Sequence, residues 1–297
     1  MASAELQVVA DLLRQLPDGR LDSPLDQQRA EWESASQLFA LPEGVVCTPV
    51  RAGTVPAEWV AAAGAADDRA LLYLHGGGYA IGGIATHRDL AARLSGASRS
   101  RSLVLGYRLA PEHPFPAAVD DAVAAYRWIV EEGIPPARVA LVGDSAGGGL
   151  ALATALALRD TGEAQPAAIV CFSPWVDLAL TGESLRTRAD REIVLSPQWL
   201  GARAEQYLDG ADRRGPLASP LYADLVGMAP LLVLVGTDEV LFDDATRLVR
   251  RAADAGVEAT LQVFDDCFHL WMVFAPFAPE SGQAVERAGE FLRARLG

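Results

Sequence analysis

A short glycine-containing segment in the middle of the chain contains the residue best suited to nucleophilic chemistry. Gly143-Asp144-Ser145-Ala146-Gly147 follows an apolar run and opens a predicted helix. A serine on a sharp turn needs small neighbours so that the backbone can pass close by. Such a turn leaves the hydroxyl exposed at a helix N-terminus, where the helix dipole favours negative charge. The segment therefore predicts that Ser145 is a nucleophile.

A second glycine-rich segment, His75-Gly76-Gly77-Gly78-Tyr79, follows an earlier apolar run. Residues without side chains let backbone N–H groups converge on a substrate oxygen, as the oxyanion hole of an acyl-transfer enzyme requires. The expected donors are Gly76 and Gly77, together with Ala146 after the nucleophile. A flexible turn or a phosphate loop is the alternative, and the lack of a flanking cation disfavours phosphate.

The serine needs a base, and the chain has four histidines. His75 belongs to the glycine-rich segment, where we expect it to order the loop by hydrogen bonding. His87 and His113 precede Ser145, and His113 lies in a proline-rich turn. His269 follows the last predicted strand, so it fits the chain order of nucleophile, acid and histidine. We therefore predict His269 as the base.

The acid that orients the histidine should follow the preceding strand. Residues 236–244 contain four carboxylates, of which Asp238 and Glu239 are close enough to the strand end. Either residue type can hold the imidazole tautomer and stabilise the imidazolium. Asp243 and Asp244 suit the first turn of the next helix instead. Position alone leaves Asp238 and Glu239 both open.

Elements of an α/β fold would position these groups. Runs such as Leu231–Val235 are apolar without alternation, which is typical of strands covered on both faces in a parallel sheet. The predicted strands are Val46–Val50, Trp59–Ala63, Leu71–Leu74, Leu103–Gly106, Val139–Val142, Ala168–Phe172, Leu231–Val235 and Thr260–Phe264. The predicted helices among them are His87–Leu94, Ala117–Glu131, Ala146–Asp160, Asp243–Ala255 and Gly282–Arg295.

Two segments fall outside this alternation. Residues 1–40 have apolar side chains at helical spacing, with Pro17 ending the first stretch. The long segment between Ser173 and Leu231 should contain helices of its own, because a structureless loop of that length is improbable in a compact domain. We expect one domain over residues 1–297, with a lid or cap formed by about 1–42 and about 178–222.

Composition excludes several classes of mechanism. The 297 residues include 39 Asp and Glu and 25 cationic side chains, all of them arginine, so the net charge is −14. Without lysine, Schiff-base, P-loop and Ser-Lys chemistry are excluded. The acidity argues against nucleic acid as a partner. Neither a signal peptide nor a membrane-spanning run is evident, and Cys47, Cys171 and Cys267 are widely spaced, so we expect a cytoplasmic protein without membrane insertion.

Three segments together carry a resemblance to a known family: His75–Gly78, Tyr107–Ala117 and Gly143–Gly147. From about residue 45 onward, the chain resembles the bacterial hormone-sensitive-lipase-type esterases, a branch of the α/β-hydrolases. The resemblance implies an α/β-hydrolase fold with a mainly parallel eight-stranded sheet and a helical cap. It implies hydrolysis of carboxylic esters without a metal or organic cofactor. A homodimer through the C-terminal strand and helix is compatible with it.

The same resemblance bears on the acid. The family motif Asp-Pro-Leu-x-Asp, set without gaps on residues 239–243, places its catalytic position on Glu239 and matches Leu241 and Asp243. Aligning the family motif from Gly236 would place its catalytic position on Asp238 instead. We favour Glu239, with Asp238 as the alternative.

These residues predict a serine carboxylesterase that acts on a small-molecule ester through an acyl-enzyme, with short to medium acyl chains implied by the family's cap. The aromatic side chains expected to line the pocket are Tyr79, Trp199, Tyr207 and Phe268. Lactones, carbamates or amides could serve as substrates of the same triad. A non-catalytic ligand-binding protein on this scaffold is the alternative of a different class.

Overall fold

The computed structural model describes residues 2–15 and 23–297, and from residue 66 onward its strands alternate with helices. The eight strands lie at every position that the apolar runs predict, with ends that differ by a few residues. They are β1 Val46–Ala52, β2 Val55–Ala61, β3 Ala66–Leu74, β4 Ser100–Leu105, β5 Val139–Asp144, β6 Ala168–Phe172, β7 Leu231–Gly236 and β8 Ala259–Phe264. The predicted α/β class is confirmed.

These strands form one eight-stranded sheet in the order β1-β2-β4-β3-β5-β6-β7-β8. β1 pairs with β2 and β2 with β4 in antiparallel fashion, and the remaining pairs are parallel. All residues of β5, β6 and β7 are buried, because helices cover both faces of the central sheet. The carboxyl ends of β5, β7 and β8 consequently meet at one edge, which is where the predicted catalytic residues follow.

The helices expected between the strands are also present. The helical segments are α1 Ala4–Arg14, α2 Leu25–Ser36, α3 Ile84–Ser98, α4 Ala117–Glu131, α5 Ala146–Asp160, α6 Ser184–Thr187, α7 Pro197–Leu208, α8 Phe242–Asp254 and α9 Pro279–Leu296. α3 begins before the predicted His87 because the Gly83 N–H donates to the Thr86 hydroxyl at 2.9 Å and so caps the helix. None of these described helices combines the length and the apolar character that a membrane span needs.

The two segments expected to form a cap contain α1, α2, α6 and α7. On α1, Leu6 is buried in the core cluster that includes the side chains of α9. On α2, the Arg29 guanidinium donates to the carbonyls of Ala80 and Ala110, at 2.9 and 3.0 Å. Pro17, the predicted end of the first helical stretch, lies outside the described residues. The cap boundaries stay a prediction.

Candidate active site

Ser145 occupies the turn between β5 and α5. Its backbone has a positive φ of 53°, and the residue is 3% exposed. A Cβ on Gly147 would lie 1.9 Å from the Leu74 carbonyl oxygen, and one on Gly143 would lie 2.2 Å from the Gly147 carbonyl oxygen. Only glycine fits at either position, which is the physical reason for the glycines that the sequence shows there.

Residues from three strand ends meet at Ser145. The distance from Ser145 Oγ to His269 Nε2 is 3.0 Å, and that from His269 Nδ1 to Glu239 Oε2 is 2.9 Å. His269 follows β8, Glu239 follows β7, and both side chains are buried. The structure therefore brings together the nucleophile, base and acid proposed from the sequence.

Glu239 and its neighbour Asp238 have different surroundings. Glu239 Oε1 accepts hydrogen bonds from the Ser173 hydroxyl at 2.7 Å and from the Gly236 N–H at 2.6 Å, which leaves Oε2 directed at the imidazole. Asp238 instead forms an ion pair with Arg191, with 3.3 Å between Asp238 Oδ1 and Arg191 Nη1. Of the two candidates, Glu239 alone contacts His269.

The imidazole of His269 lies in a negative environment. Burial alone would lower the pKa of His269, but the hydrogen bond and charge of Glu239, with a smaller contribution from Glu192, outweigh it and raise that pKa. A raised pKa means that the imidazolium, the form that appears after proton transfer from Ser145, is stabilised.

Glu192, in the segment between α6 and α7, is a buried carboxyl beside this histidine that sequence reasoning missed. Its Oε1 accepts from the Val194 N–H at 2.8 Å and from the His269 backbone N–H at 3.4 Å. Burial raises the pKa of Glu192 to about 7, and the nearby charge of Glu239 acts in the same direction. No motif surrounds Glu192, so only the folded contact identifies it.

Glu192, Glu239 and His269 offer ligand atoms within 4.8 Å of one another, which is close enough to contact a single cation. Both ring nitrogens of His269 are already engaged, with Ser145 and with Glu239. A metal on either nitrogen would displace one of these partners. The arrangement thus fits proton transfer better than metal binding.

The glycine-rich loop after β3 lies against the nucleophile turn. Gly77 has φ 110°, and a Cβ there would lie 2.2 Å from the Ile81 carbonyl oxygen. Within the described part of the chain, the backbone N–H groups of Gly77 and Ala146 donate to no protein acceptor. These donors are therefore available to a ligand oxygen, as the predicted oxyanion hole requires.

The side chain of Asp144, the residue before Ser145, packs against the backbone of this loop. A Cβ on Gly76 would lie 2.2 Å from Asp144 Oδ2, so the carboxyl group touches the loop backbone. Asp144 Oδ1 accepts from the Tyr73 hydroxyl at 2.6 Å, and Oδ2 lies 3.4 Å from His87 Nε2. Burial opposes ionisation of Asp144, but His87 and Tyr73 outweigh it and lower the pKa of the carboxyl. His87, expected to be outside the triad, is thus a neighbour of Asp144.

His75 lies in the same loop and stays uncharged. Its ring stacks on Tyr107 with 4.1 Å between centroids, and Nδ1 lies 2.7 Å from the Gly76 carbonyl oxygen. Burial, with the charge of His87, lowers the pKa of His75 to about 3. These contacts are those of a residue that orders the loop, as predicted.

Three of the four aromatic side chains expected in the pocket lie over the glycine-rich loop. The rings of Tyr79 and Tyr207 stack with 3.7 Å between centroids. A Cβ on Gly78 would lie 2.8 Å from the Trp199 ring. Phe268 belongs to the other core cluster and lines a groove of about 330 Å³ beside α1. Phe268 is therefore buried in a different hydrophobic cluster from Tyr79, Trp199 and Tyr207.

Comparison with known proteins agrees with this fold and site. A family model described as alpha/beta hydrolase fold matches residues 71–273. An acetyl-hydrolase of Streptomyces hygroscopicus is 48% identical over 300 residues, covering 100% of this chain and 99% of the relative. An ethyl acetate hydrolase of Pseudomonas putida is 36% identical over 84% of this chain and 79% of its own length.

Solved structures give the same result. The crystal structure of an esterase from the bacterial hormone-sensitive lipase family superposes with a TM-score of 0.96 at 48% identity, covering 100% of both chains. The esterase EstE5, soaked with p-nitrophenyl butyrate, superposes with a TM-score of 0.95 at 44% identity and covers 99% of both chains.

The fold and the similarities define an α/β-hydrolase that acts on carboxylic esters. Within that class, the chain belongs to the bacterial hormone-sensitive-lipase-type esterases.

Proposed function

We propose that this carboxylesterase works through an acyl-enzyme on Ser145, with His269 as general base and Glu239 as the acid that orients it. The observation that carries the proposal is the continuous hydrogen-bonded line from Glu239 Oε2 through His269 to Ser145 Oγ, with distances of 2.9 and 3.0 Å. As Ser145 attacks the ester carbonyl, His269 takes its proton, and Glu239 stabilises the resulting imidazolium.

Attack on the carbonyl carbon moves an electron pair onto the carbonyl oxygen, and this oxyanion accepts hydrogen bonds from the N–H groups of Gly76, Gly77 and Ala146. His269 then gives its proton to the departing alkoxide, which leaves as the alcohol. In the second half-reaction, His269 takes a proton from water, the water oxygen attacks the acyl-enzyme, and Ser145 recovers its proton as the acid departs. Every step uses groups of the chain and water.

We further propose that short to medium acyl chains are preferred, under a cap formed by about 1–42 and about 178–222. Ser145 and Trp199 are 3% and 4% exposed, so the chemistry takes place in an enclosed space. Two relatives named for acetyl and ethyl acetate hydrolysis act on two-carbon acyl groups, which agrees with a small acyl site. We propose Tyr79, Trp199 and Tyr207 as pocket walls, and Phe268 as part of the groove beside α1.

A cytoplasmic location is part of the proposal, supported by three cysteines that form no disulfide. A homodimer through β8 is compatible with the sheet, because β8 is an edge strand on which Val263 is 42% exposed.

The test is a substrate screen with the Ser145→Ala variant as control. We expect para-nitrophenyl esters to be hydrolysed fastest with acyl chains of two to about eight carbons, and lactones and anilides more slowly. Unchanged turnover by Ser145→Ala would contradict the proposed mechanism. A preference for long acyl chains would contradict the proposed preference for short to medium chains. Ligand binding without turnover of any ester, lactone, carbamate or amide would favour the non-catalytic alternative.

A further inference from the structure

Helix α7 lies over the glycine-rich loop and presents three large side chains to it. Trp199, Arg203 and Tyr207 are spaced four residues apart, so they share one face of the helix. A Cβ on Gly78 would lie 2.8 Å from the Trp199 ring and 2.9 Å from Arg203 Cγ. Gly78 directly follows the proposed oxyanion donor Gly77. The stem of Arg203 therefore rests one residue from the proposed reaction centre.

Arg203 is a buried cation that is not neutralised by the described residues. It is 5% exposed, its Nη1 donates to Gln206 Oε1 at 2.7 Å, and its Cζ lies 5.3 Å from the centre of the Trp199 ring. No carboxylate of the described chain forms an ion pair with it. Burial and the like charge of Arg29 both lower the pKa of Arg203.

Several half-buried arginines of the chain pair with a carboxylate, whereas Arg101 and Arg188 lie over the rings of Trp59 and Phe242 instead. Arg29 lies 2.7 Å from Glu112, Arg108 lies 2.8 Å from Asp121, and Arg247 lies 2.9 Å from Asp177. Burying a charge without a counter-ion is costly, and among the described residues Arg203 is the one arginine that is fully buried.

Further hydrogen-bond donors on the same helix face also lack partners among the described residues. They are Arg203 Nε, Trp199 Nε1 and the Tyr207 hydroxyl, all buried. A hydroxyl can donate or accept, whereas the guanidinium and indole groups only donate. Unpaired donors around an uncompensated cation match a ligand that brings negatively charged acceptor oxygens.

We propose that Arg203 binds a carboxylate on the substrate, so that the preferred esters carry a negative charge on their acyl or alcohol half. The proposal rests on the proposed function, because it places the carboxylate in the pocket of the Ser145 esterase. A carboxylate fits the planar guanidinium through two parallel hydrogen bonds, and a neutral ester leaves this group unpaired. Arg203 thereby selects among esters without taking part in bond cleavage.

The experiment compares kcat/KM for matched charged and neutral esters. Mono-para-nitrophenyl glutarate against para-nitrophenyl pentanoate tests a charge on the acyl half. Para-acetoxybenzoate against its methyl ester tests a charge on the alcohol half. The variants are Arg203→Met, which keeps length without charge, and Arg203→Lys, which keeps the charge. The matched control is Arg213→Met, at a half-buried arginine of the same segment that pairs with Glu205 and donates to the Leu178 carbonyl.

We expect the charged-to-neutral ratio of kcat/KM to fall by about 10-fold or more in Arg203→Met, for the pair whose charge reaches the guanidinium. Arg203→Lys should retain part of the ratio, and Arg213→Met should keep the wild-type value. An unchanged ratio in Arg203→Met for both pairs would overturn the proposal, as would equal losses on charged and neutral esters.

A measurement on the wild-type enzyme keeps the proposal testable if Arg203→Met does not fold. Glutarate should inhibit hydrolysis of the neutral ester competitively, and the uncharged glutaramide should inhibit at least about 10-fold more weakly. Equal inhibition by the two compounds would contradict the proposal. Failure of the proposed function would look different, since Ser145→Ala would then retain turnover of every ester.

Discussion

The carboxyl group of Glu192 contacts the backbone of the catalytic histidine candidate, with 3.4 Å between Glu192 Oε1 and the His269 nitrogen. Glu192 comes from the predicted cap segment, whereas His269 follows the last strand of the sheet. One hydrogen bond thus connects the cap with the loop that holds the imidazole. The same carboxyl is buried, so its ionisation is linked to folding.

We predict that Glu192→Gln stabilises the protein at pH 8 relative to the wild type, and much less at pH 4. Burial raises the pKa of Glu192 from 4.5 to about 7, so the folded protein binds this proton more tightly than the unfolded chain. The contribution of this group to the free energy of unfolding is fully present below pH 4.5, and it is lost as the pH rises through about 7. The loss amounts to about 3 kcal/mol at most. Melting temperatures across pH 4 to 8 measure the difference.

Glu183→Gln, at an exposed glutamate of the same segment, is the matched control and should show no such pH dependence. The charge of Glu192 also raises the pKa of His269. Its removal should therefore move the acidic limb of the kcat/KM profile to lower pH. A purely structural Glu192 would leave that limb unchanged.

The triad acid is decided by two conservative substitutions. We predict that Glu239→Gln lowers kcat by about 10³- to 10⁴-fold, because an amide cannot stabilise the His269 imidazolium. Asp238→Asn should keep kcat within a few-fold, since Asp238 contacts Arg191 rather than His269. Steady-state kinetics on one ester, with the melting temperature of each variant, makes the comparison. The reverse order of the two losses would assign the acid to Asp238.

Backbone crowding at the nucleophile turn predicts a stability effect. Gly147→Ala should destabilise the protein by about 3 kcal/mol, because the new Cβ would overlap the Leu74 carbonyl oxygen. Gly96→Ala in α3 is the control, since its Cβ would lie 3.5 Å from the Ala62 Cβ, an ordinary contact. We expect Gly96→Ala to be neutral or stabilising. Denaturant unfolding of both variants measures this, and similar losses would contradict the crowding argument.

An organophosphate reagent should label the protein once, on Ser145, because a serine paired with a neutral imidazole is the activated nucleophile. The Ser145 hydroxyl lies 3.0 Å from His269 Nε2, whereas the buried Ser173 hydroxyl donates to Glu239. Peptide mass mapping locates the adduct. Equal labelling of the Ser145→Ala variant would show that another residue reacts.

The sheet and the nucleophile turn were predictable because local patterns encode them. Continuous apolar runs such as β7 mark strands covered on both faces, and the glycines around Ser145 stand where a Cβ has no room. Chain order was enough to choose His269 among four histidines. In each case, the signal lies within a few neighbouring residues.

The identity of the acid and the roles of Glu192 and Arg203 were not predictable in the same way. They depend on the orientation of adjacent side chains in the folded protein and on contacts with residues distant in the chain. Position alone did not distinguish Asp238 from Glu239, because both follow β7 and only the folded loop directs Glu239 at the imidazole. Glu192 and Arg203 lie in a segment without motifs. Their importance comes from burial, which no spacing in that segment reveals.

The order of the strands also determines when the enzyme becomes active during synthesis. Ser145 precedes His269 by 124 residues, and His269 follows β8, the last of the eight strands in chain order and one of the two edge strands of the sheet. The nascent chain thus contains Ser145 before its proposed base, His269, has been synthesised. If the proposed triad is correct, hydrolysis begins only when β8 has joined the sheet, so an incomplete chain does not cleave esters.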